Sequence, residues 1–287
     1  MQTITKLDLL RKAVGELRAD GATIALVPTM GALHEGHLTL IREAKKRADY
    51  VVASVFVNPA QFGKGEDLEA YPRQLAEDSA ALDGEGTALL WAPDTREMYP
   101  DGFATNIVVA GVSAEFCGAS RPGHFDGVAL VVCKLFNQVQ PDIAIFGEKD
   151  WQQLAVIRRM AADLDLRLPS VTRIVGIPTV RESDGLAMSS RNRYLSKDDR
   201  AAAATLPREM REAIARIEDG QSTACALGGL EDALLGAGFN SVDYAELADA
   251  ATLEKLEKLG KQPARLLVAA RIGGTRLIDN MAVGGAG

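Results

Sequence analysis

A six-residue apolar run, Ala22-Thr23-Ile24-Ala25-Leu26-Val27, leads without a break into Pro28-Thr29-Met30-Gly31-Ala32-Leu33-His34-Glu35-Gly36-His37. Beyond it, Leu38, Leu40, Ile41, Ala44 and Ala48 recur at helical spacing, with Arg42, Glu43, Lys45, Lys46 and Arg47 on the other face. The pattern predicts a buried strand, a glycine-bearing turn and a helix. A helix N-terminus offers unpaired N–H groups and the positive end of a dipole, both suited to phosphate. Gly31 lets a ligand approach the backbone, and Gly36 lets the helix start tightly. His34 and His37 sit three apart on the first turn and face one space. Such a pair also occurs as solvated turn histidines or as half of a metal site. The surrounding strand, glycines and helix favour a phosphate site, where imidazoles can donate to developing charge.

At 287 residues the chain is long enough for two units. Hydrophobic residues make up 47% and charged residues 25%, the balance of an ordinary globular protein. The net charge of -7 argues against a general nucleic-acid surface, so an anionic substrate needs a local cluster of cations. Cys117, Cys133 and Cys225 are distant from one another and form no Cys-x-x-Cys, which indicates neither a zinc knuckle nor a disulfide framework. With no signal-peptide core and no membrane-length apolar run, a cytoplasmic protein with no membrane association is expected.

Leu7 to Leu17 reads as a helix stopped by Asp20-Gly21. Tyr50 to Val57 is apolar throughout, as in a strand buried on both faces of a parallel sheet, and completes a βαβ unit. At its carboxyl end, where ligands of open α/β sheets lie, come Asn58-Pro59-Ala60-Gln61-Phe62. Thr87 to Pro93 and Asn106 to Val109 read as strands, and Val128 to Gln138 as a helix. Between the latter two, Arg121 and His124 stand in a glycine-bearing turn, with Arg121 a candidate anion clamp. Pro141 to Phe146 is a further strand that delivers Gly147-Glu148-Lys149-Asp150 to an amphipathic helix, Trp151 to Leu164, with Gln153 one turn in. This second strand–glycine–helix junction repeats the logic of the first, and Lys149 is a mobile point charge suited to phosphate. Ser170 to Gly176 is read as a strand running into a turn with Val180, Met188, Ser189, Ser190 and Arg191. Charged helices (Asp198 to Glu218, Thr223 to Leu235) and strands at Ser241 to Glu246, Arg265 to Ala270 and Thr275 to Asn280 suggest a smaller α+β unit.

Four motifs taken in order carry a resemblance: Pro28 to His37, Phe56-Val57-Asn58-Pro59-x-Gln61-Phe62, Gly147-Glu148-Lys149-Asp150-x-Gln152-Gln153, and Met188-Ser189-Ser190-Arg191-Asn192. Together they closely resemble the pantoate–β-alanine ligase (pantothenate synthetase) family, over about 170 residues from Thr23 to Leu195. The resemblance implies a Rossmann-like nucleotidylyltransferase domain at 1–179 bearing the His-x-Gly-His signature, and a C-terminal lid domain at 180–287. It implies a homodimer that condenses (R)-pantoate with β-alanine, using ATP and Mg²⁺, through a pantoyl adenylate. It places ATP on Met30, Gly31, Ala32, Leu33, His34, Glu35, Gly36 and His37, on Gly147 to Asp150, on Val180, and on Met188 to Arg191. His34, His37, Lys149 and Arg191 become the catalytic candidates, with His37 as proton donor. Asn58, Gln61, Gln153 and Arg121 fall to pantoate and β-alanine, and Glu77 or Asp78 to the metal. Departures are small: Ala60 where bulkier residues are common, Trp151 for a usual Phe or Tyr, and Asp126 after His124-Phe125. A nucleotidylyltransferase without ligation, a nucleotide-sensing binding protein and a His-based metallohydrolase are the alternatives to be tested.

Overall fold

A computed structural model describes residues 1–284. Six parallel strands, β1 (Gln2–Ile4), β2 (Ile24–Thr29), β3 (Tyr50–Val55), β4 (Leu89–Trp91), β5 (Ile143–Gly147) and β6 (Ile174–Ile177), lie in the order β1-β4-β3-β2-β5-β6. The continuous apolar runs are explained by burial on both faces. Ile24, Leu26, Val52 and Phe146 point into a core with α1 (Leu7–Leu17), α6 (His124–Val139) and α7 (Trp151–Asp163). Their neighbours Ala25, Val27, Val51 and Ile145 pack against α2 (Glu35–Lys45) and Leu82 of α3 (Leu75–Gly84) on the opposite face. Two single-turn helices, α4 (Thr95–Met98) and α5 (Cys117–Ser120), lie between β4 and α6.

From β2 the chain moves to β3 on one side, while β5 flanks β2 on the other. Strand order therefore reverses at β2, and the crevice beyond the carboxyl ends of β2 and β5 is where such sheets take ligands. Both glycine-bearing junctions open into it.

The C-terminal part has its own core. Helices α8 (Lys197–Ala203), α9 (Thr205–Glu218) and α10 (Thr223–Gly236) precede an antiparallel sheet β7-β8-β9 (Ser241–Asp249, Ala264–Ile272, Thr275–Val283). Leu206, Met210, Leu230 and Leu234 pack on Leu247, Leu266 and Val268.

Several boundaries differ from expectation for local reasons. The single helix expected over Asp198 to Glu218 is two, because the ring of Pro207 cannot coexist with a helical carbonyl four residues back, and α8 ends at Ala203. Ser170 to Gly176 is not one strand: a 3₁₀ turn at Val171–Arg173 precedes β6. The segment Asn106 to Val109 joins no sheet, although Val108 is exposed and Val109 buried in the alternation a strand would show. Strand β1, three residues long, had no legible sequence signal; it pairs with the edge of β4.

Candidate active site

The turn after β2 is held from below. Asp78 of α3 is buried, and its carboxylate accepts the backbone N–H groups of Ala32 (2.9 Å) and Leu33 (2.8 Å). Gly31 has φ +83°, and a Cβ there would lie 2.9 Å from Asp78 Oδ2, so glycine is required on both counts. The turn then caps α2 with its own histidines. The His34 Nδ1 accepts from Gly36 N (3.2 Å), and the His37 Nδ1 accepts from His34 N (3.3 Å). This is a reciprocal cap of the kind usually built from Ser and Glu. Gly36 is needed because a Cβ would meet the His34 ring at 2.9 Å.

Because both Nδ1 atoms accept, each neutral ring carries its proton on Nε2. The rings stand 4.1 Å apart between centroids. Burial, with Lys149 nearby, pushes the His34 imidazole down to about 4. Burial, then His34 and Lys149, pushes His37 down to about 3. At neutral pH the pair therefore offers two N–H donors and no proton held in reserve.

Beyond β3, Asn58 is 1% exposed and fully committed: it donates to Gly127 O (3.0 Å) and Gln61 Oε1 (3.2 Å), and accepts from Ala60 N and Tyr99 Oη (2.8 Å). It borders the smaller cavity, and in the ligand-free protein its amide holds the Ala60–Gln61 turn, Gly127 and Tyr99 together. Gly127 makes this possible: a Cβ on it would lie 2.1 Å from Ala60 O. His124, given no role by the sequence, donates from Nδ1 to Gln61 O (2.8 Å) while Arg121 Nη1 donates to its Nε2 (3.0 Å). Arg121 in turn forks onto Glu66 (2.7 and 2.6 Å), whose carboxyl this pairing holds down at about 2.

The second junction brings Lys149 to the same space. Its ammonium is 3.9 Å from Asp150, beyond hydrogen-bond distance. Arg191 forks onto Asp67 (3.0 Å twice), Ser190 Oγ lies 3.2 Å from Tyr71 Oη, and Ser189 Oγ accepts from Arg191 N. Adjacent acids Glu66 and Asp67 thus hold one arginine each. Gln153 makes no side-chain hydrogen bond among the described residues and remains available to a ligand.

Two adjoining cavities result. One, of about 220 Å³, is lined by Met30, His34, His37, Gln61, Lys149 and Gln153, and by the turn of Val180 and Met188 to Arg191. The other, of about 720 Å³, runs from Arg121, Lys149 and Arg191 to Thr275–Asn280 of the C-terminal strands. Gly147, Asp150 and Asn58 also border the smaller one. Glu35 instead pairs with Arg42 on the surface, and Glu148 lies 3.4 Å from Arg265. Neither Glu77, exposed on α3, nor Asp78, spent on the turn, lines either cavity. No cluster of three metal-ligating side chains occurs among the described residues.

Comparison with known proteins agrees over the whole length. Residues 2–282 match the family model of pantoate-beta-alanine ligase. A pantothenate synthetase of Novosphingobium aromaticivorans is 68% identical over 99% of both chains, and one of Sphingopyxis alaskensis is 60% identical over 99% of this chain and 100% of its own. A crystal structure of pantothenate synthetase from Thermus thermophilus superposes with a TM-score of 0.92 at 47% identity, covering 99% of this chain and 100% of that one. A Francisella tularensis pantoate-beta-alanine ligase, complexed with beta-gamma ATP and beta-alanine, gives 0.82 at 32% identity over 98% and 97% of the chains.

Proposed function

The chain belongs to the pantoate–β-alanine ligase family, and on that premise we propose that its two cavities carry out ATP-dependent condensation of (R)-pantoate with β-alanine through a pantoyl adenylate. The observation that carries this reading is the convergence of the neutral His34/His37 pair, Lys149 and the unengaged Gln153 on one cavity.

A carboxylate is a poor acylating agent, so its conversion to an adenylate makes amine attack easy. That first step needs positioning and neutralisation of charge as pyrophosphate leaves. The Nε2–H groups of His34 and His37 donate to the triphosphate, and Lys149 brings charge from the other side. His37 enters this step as a neutral Nε2–H donor in the ligand-free protein, and an arriving triphosphate, by its charge, raises its tendency to take up a proton and act as the proton donor the resemblance implies. Arg191 and the Ser189-Ser190 turn close on the phosphates, and Met30, Gly147 and Val180 wall the nucleotide. Gln61 and Gln153 orient pantoate, with Asn58 and His124 fixing Gln61. Arg121, which borders both cavities, serves the pantoate and β-alanine carboxylates.

Mg²⁺ bound by one or two carboxylates and by phosphates fits here. Asp150 is 46% exposed, borders both cavities and has Lys149, at 3.9 Å, as its ion-pair partner among the described residues, so it is the carboxylate that would hold the ion. The ion supplies neutralisation of the triphosphate. The residues 1–179 form the catalytic unit and 180–287 the lid, a division supported by the main core that each has, with a small cluster of Phe116, Ala248, Leu253 and Leu267 joining the two. A homodimer and a cytoplasmic site complete the reading; no described helix is long and apolar enough to cross a membrane, and the three cysteines are unpaired.

The test is pyrophosphate release with ATP, Mg²⁺ and (R)-pantoate. A single-turnover burst that becomes steady AMP formation on adding β-alanine is expected. Pyrophosphate without β-alanine-dependent AMP formation would leave a nucleotidylyltransferase without ligation. No release under either condition would leave a nucleotide-binding protein.

A further inference from the structure

The turn that presents Lys149 has little local support. Neither the 3₁₀ turn Glu148–Asp150 nor the start of α7 has a side-chain cap, and Gly147 before them has open space where a Cβ would be. What holds the turn comes from the other end of the chain. Asn280 on β9, 4% exposed, donates from Nδ2 to the carbonyls of both Glu148 and Lys149, each at 2.9 Å. Its Oδ1 accepts from Arg265 on β8. The Arg265 guanidinium stacks on Trp151 at 3.4 Å from the ring centroid and reaches Glu148 at 3.4 Å. Trp151 Nε1 donates to Ala250 O at 2.9 Å.

These partners fix the orientation of the Asn280 amide. Its donor end faces two carbonyls and its acceptor end faces a guanidinium, so a flipped amide or a carboxylate would set oxygen against oxygen. The side chain is nearly dry, so an unmatched group there would be costly. Residues on both sides of Lys149 are thus gripped by the C-terminal sheet.

We propose that Asn280, oriented by Arg265, is a positioning residue that sets where the Lys149 ammonium meets the phosphates, so that the C-terminal sheet belongs to the catalytic apparatus. This rests on the phosphate role given to Lys149 above. A displacement of about 1 Å at a reacting group costs on the order of 100-fold. Asn280→Asp, which keeps shape and removes the donor, should lower the rate of pyrophosphate release about 10- to 100-fold while leaving the KM for (R)-pantoate within about twofold.

The deciding experiment is a double-mutant cycle read in single-turnover pyrophosphate release, with thermal melts as the folding control. Since Asn280 acts through Lys149, Asn280→Asp in a Lys149→Ala background should cost less than about threefold. If Asn280→Asp does not fold, the cycle is run with Asn280→Ser and Arg265→Lys, with the same expectation. Equal fold-losses in both backgrounds, or a folded Asn280 variant as fast as wild type, overturn the positioning role alone. A Lys149→Ala protein with near wild-type turnover overturns the role of Lys149, and the positioning role falls with it.

Discussion

Gly127→Ala is a one-carbon change with a calculable effect on the substrate pocket. The added Cβ would lie 2.1 Å from Ala60 O, 2.4 Å from Ala60 C and 2.6 Å from Gln61 N, where ordinary contact begins at 3.4 Å. The shortfall against the oxygen is about 1.3 Å, and all three atoms are backbone, so no side chain can rotate away. Either α6 or the turn Pro59–Gln61 must move, and the bond from Asn58 to Gly127 O breaks with the movement. Overpacking of this kind costs about 1–3 kcal/mol. A shift of this size at a group that orients substrate costs on the order of 100-fold in turnover. Steady-state kinetics in (R)-pantoate, with a thermal melt, is the assay. Gly228 on α10 supplies the control, since it is exposed with nothing within 4 Å of its missing Cβ. Gly228→Ala should instead stabilise, by up to about 1 kcal/mol, with unchanged kinetics. A Gly127→Ala enzyme with kcat and KM for pantoate within twofold of wild type would refute the steric reasoning.

Other perturbations separate the remaining roles. His37→Gln should slow single-turnover pyrophosphate release by about 10²–10³, or 3–4 kcal/mol, as for loss of one preorganised donor; a loss under threefold would count against the donor role. Asp78→Asn should cost about 1–3 kcal/mol of stability by weakening its hold on Ala32 and Leu33 while the Mg²⁺ dependence of the rate stays put; a large rise in the Mg²⁺ requirement in a stable variant would restore Asp78 as a metal ligand. Thermal stability should be full above about pH 6.5 and decline as pH falls towards 4. In that window the unfolded chain takes up protons on three histidines that the fold holds at about 4 (His34), 3 (His37) and 4 (His124). His37→Gln should flatten the slope, and an unchanged slope would show that His37 is not buried neutral.

What the sequence revealed and what it hid divide along contact distance. The two strand–glycine–helix junctions were legible because everything that makes them, apolar run, glycine and helical periodicity, sits within about twenty residues. Lys149 and Gln153 could be picked out as candidates for the same reason. The structural part of Asn58 was hidden because its partner Gly127 is 69 positions away, and only the folded contact shows it. Asp78 likewise serves a turn 45 residues earlier, and Asn280 a lysine 131 residues earlier. Residues whose work is to hold other residues have no motif of their own. Their signal is a spacing that only the topology creates, as with Gly127, which reads in sequence as one more turn glycine.

The neighbouring carboxylates Glu66 and Asp67 make binding in this cleft an exchange reaction. Each already neutralises one guanidinium, Arg121 or Arg191, through a two-pronged pairing. The ligand-free cleft is therefore spared the mutual repulsion of these two bare guanidinium groups. A phosphate or carboxylate reaching either arginine has to share it with, or take it from, a carboxylate in place. The free energy gained there is the difference between two similar contacts, so geometry weighs heavily in which ligand gains it.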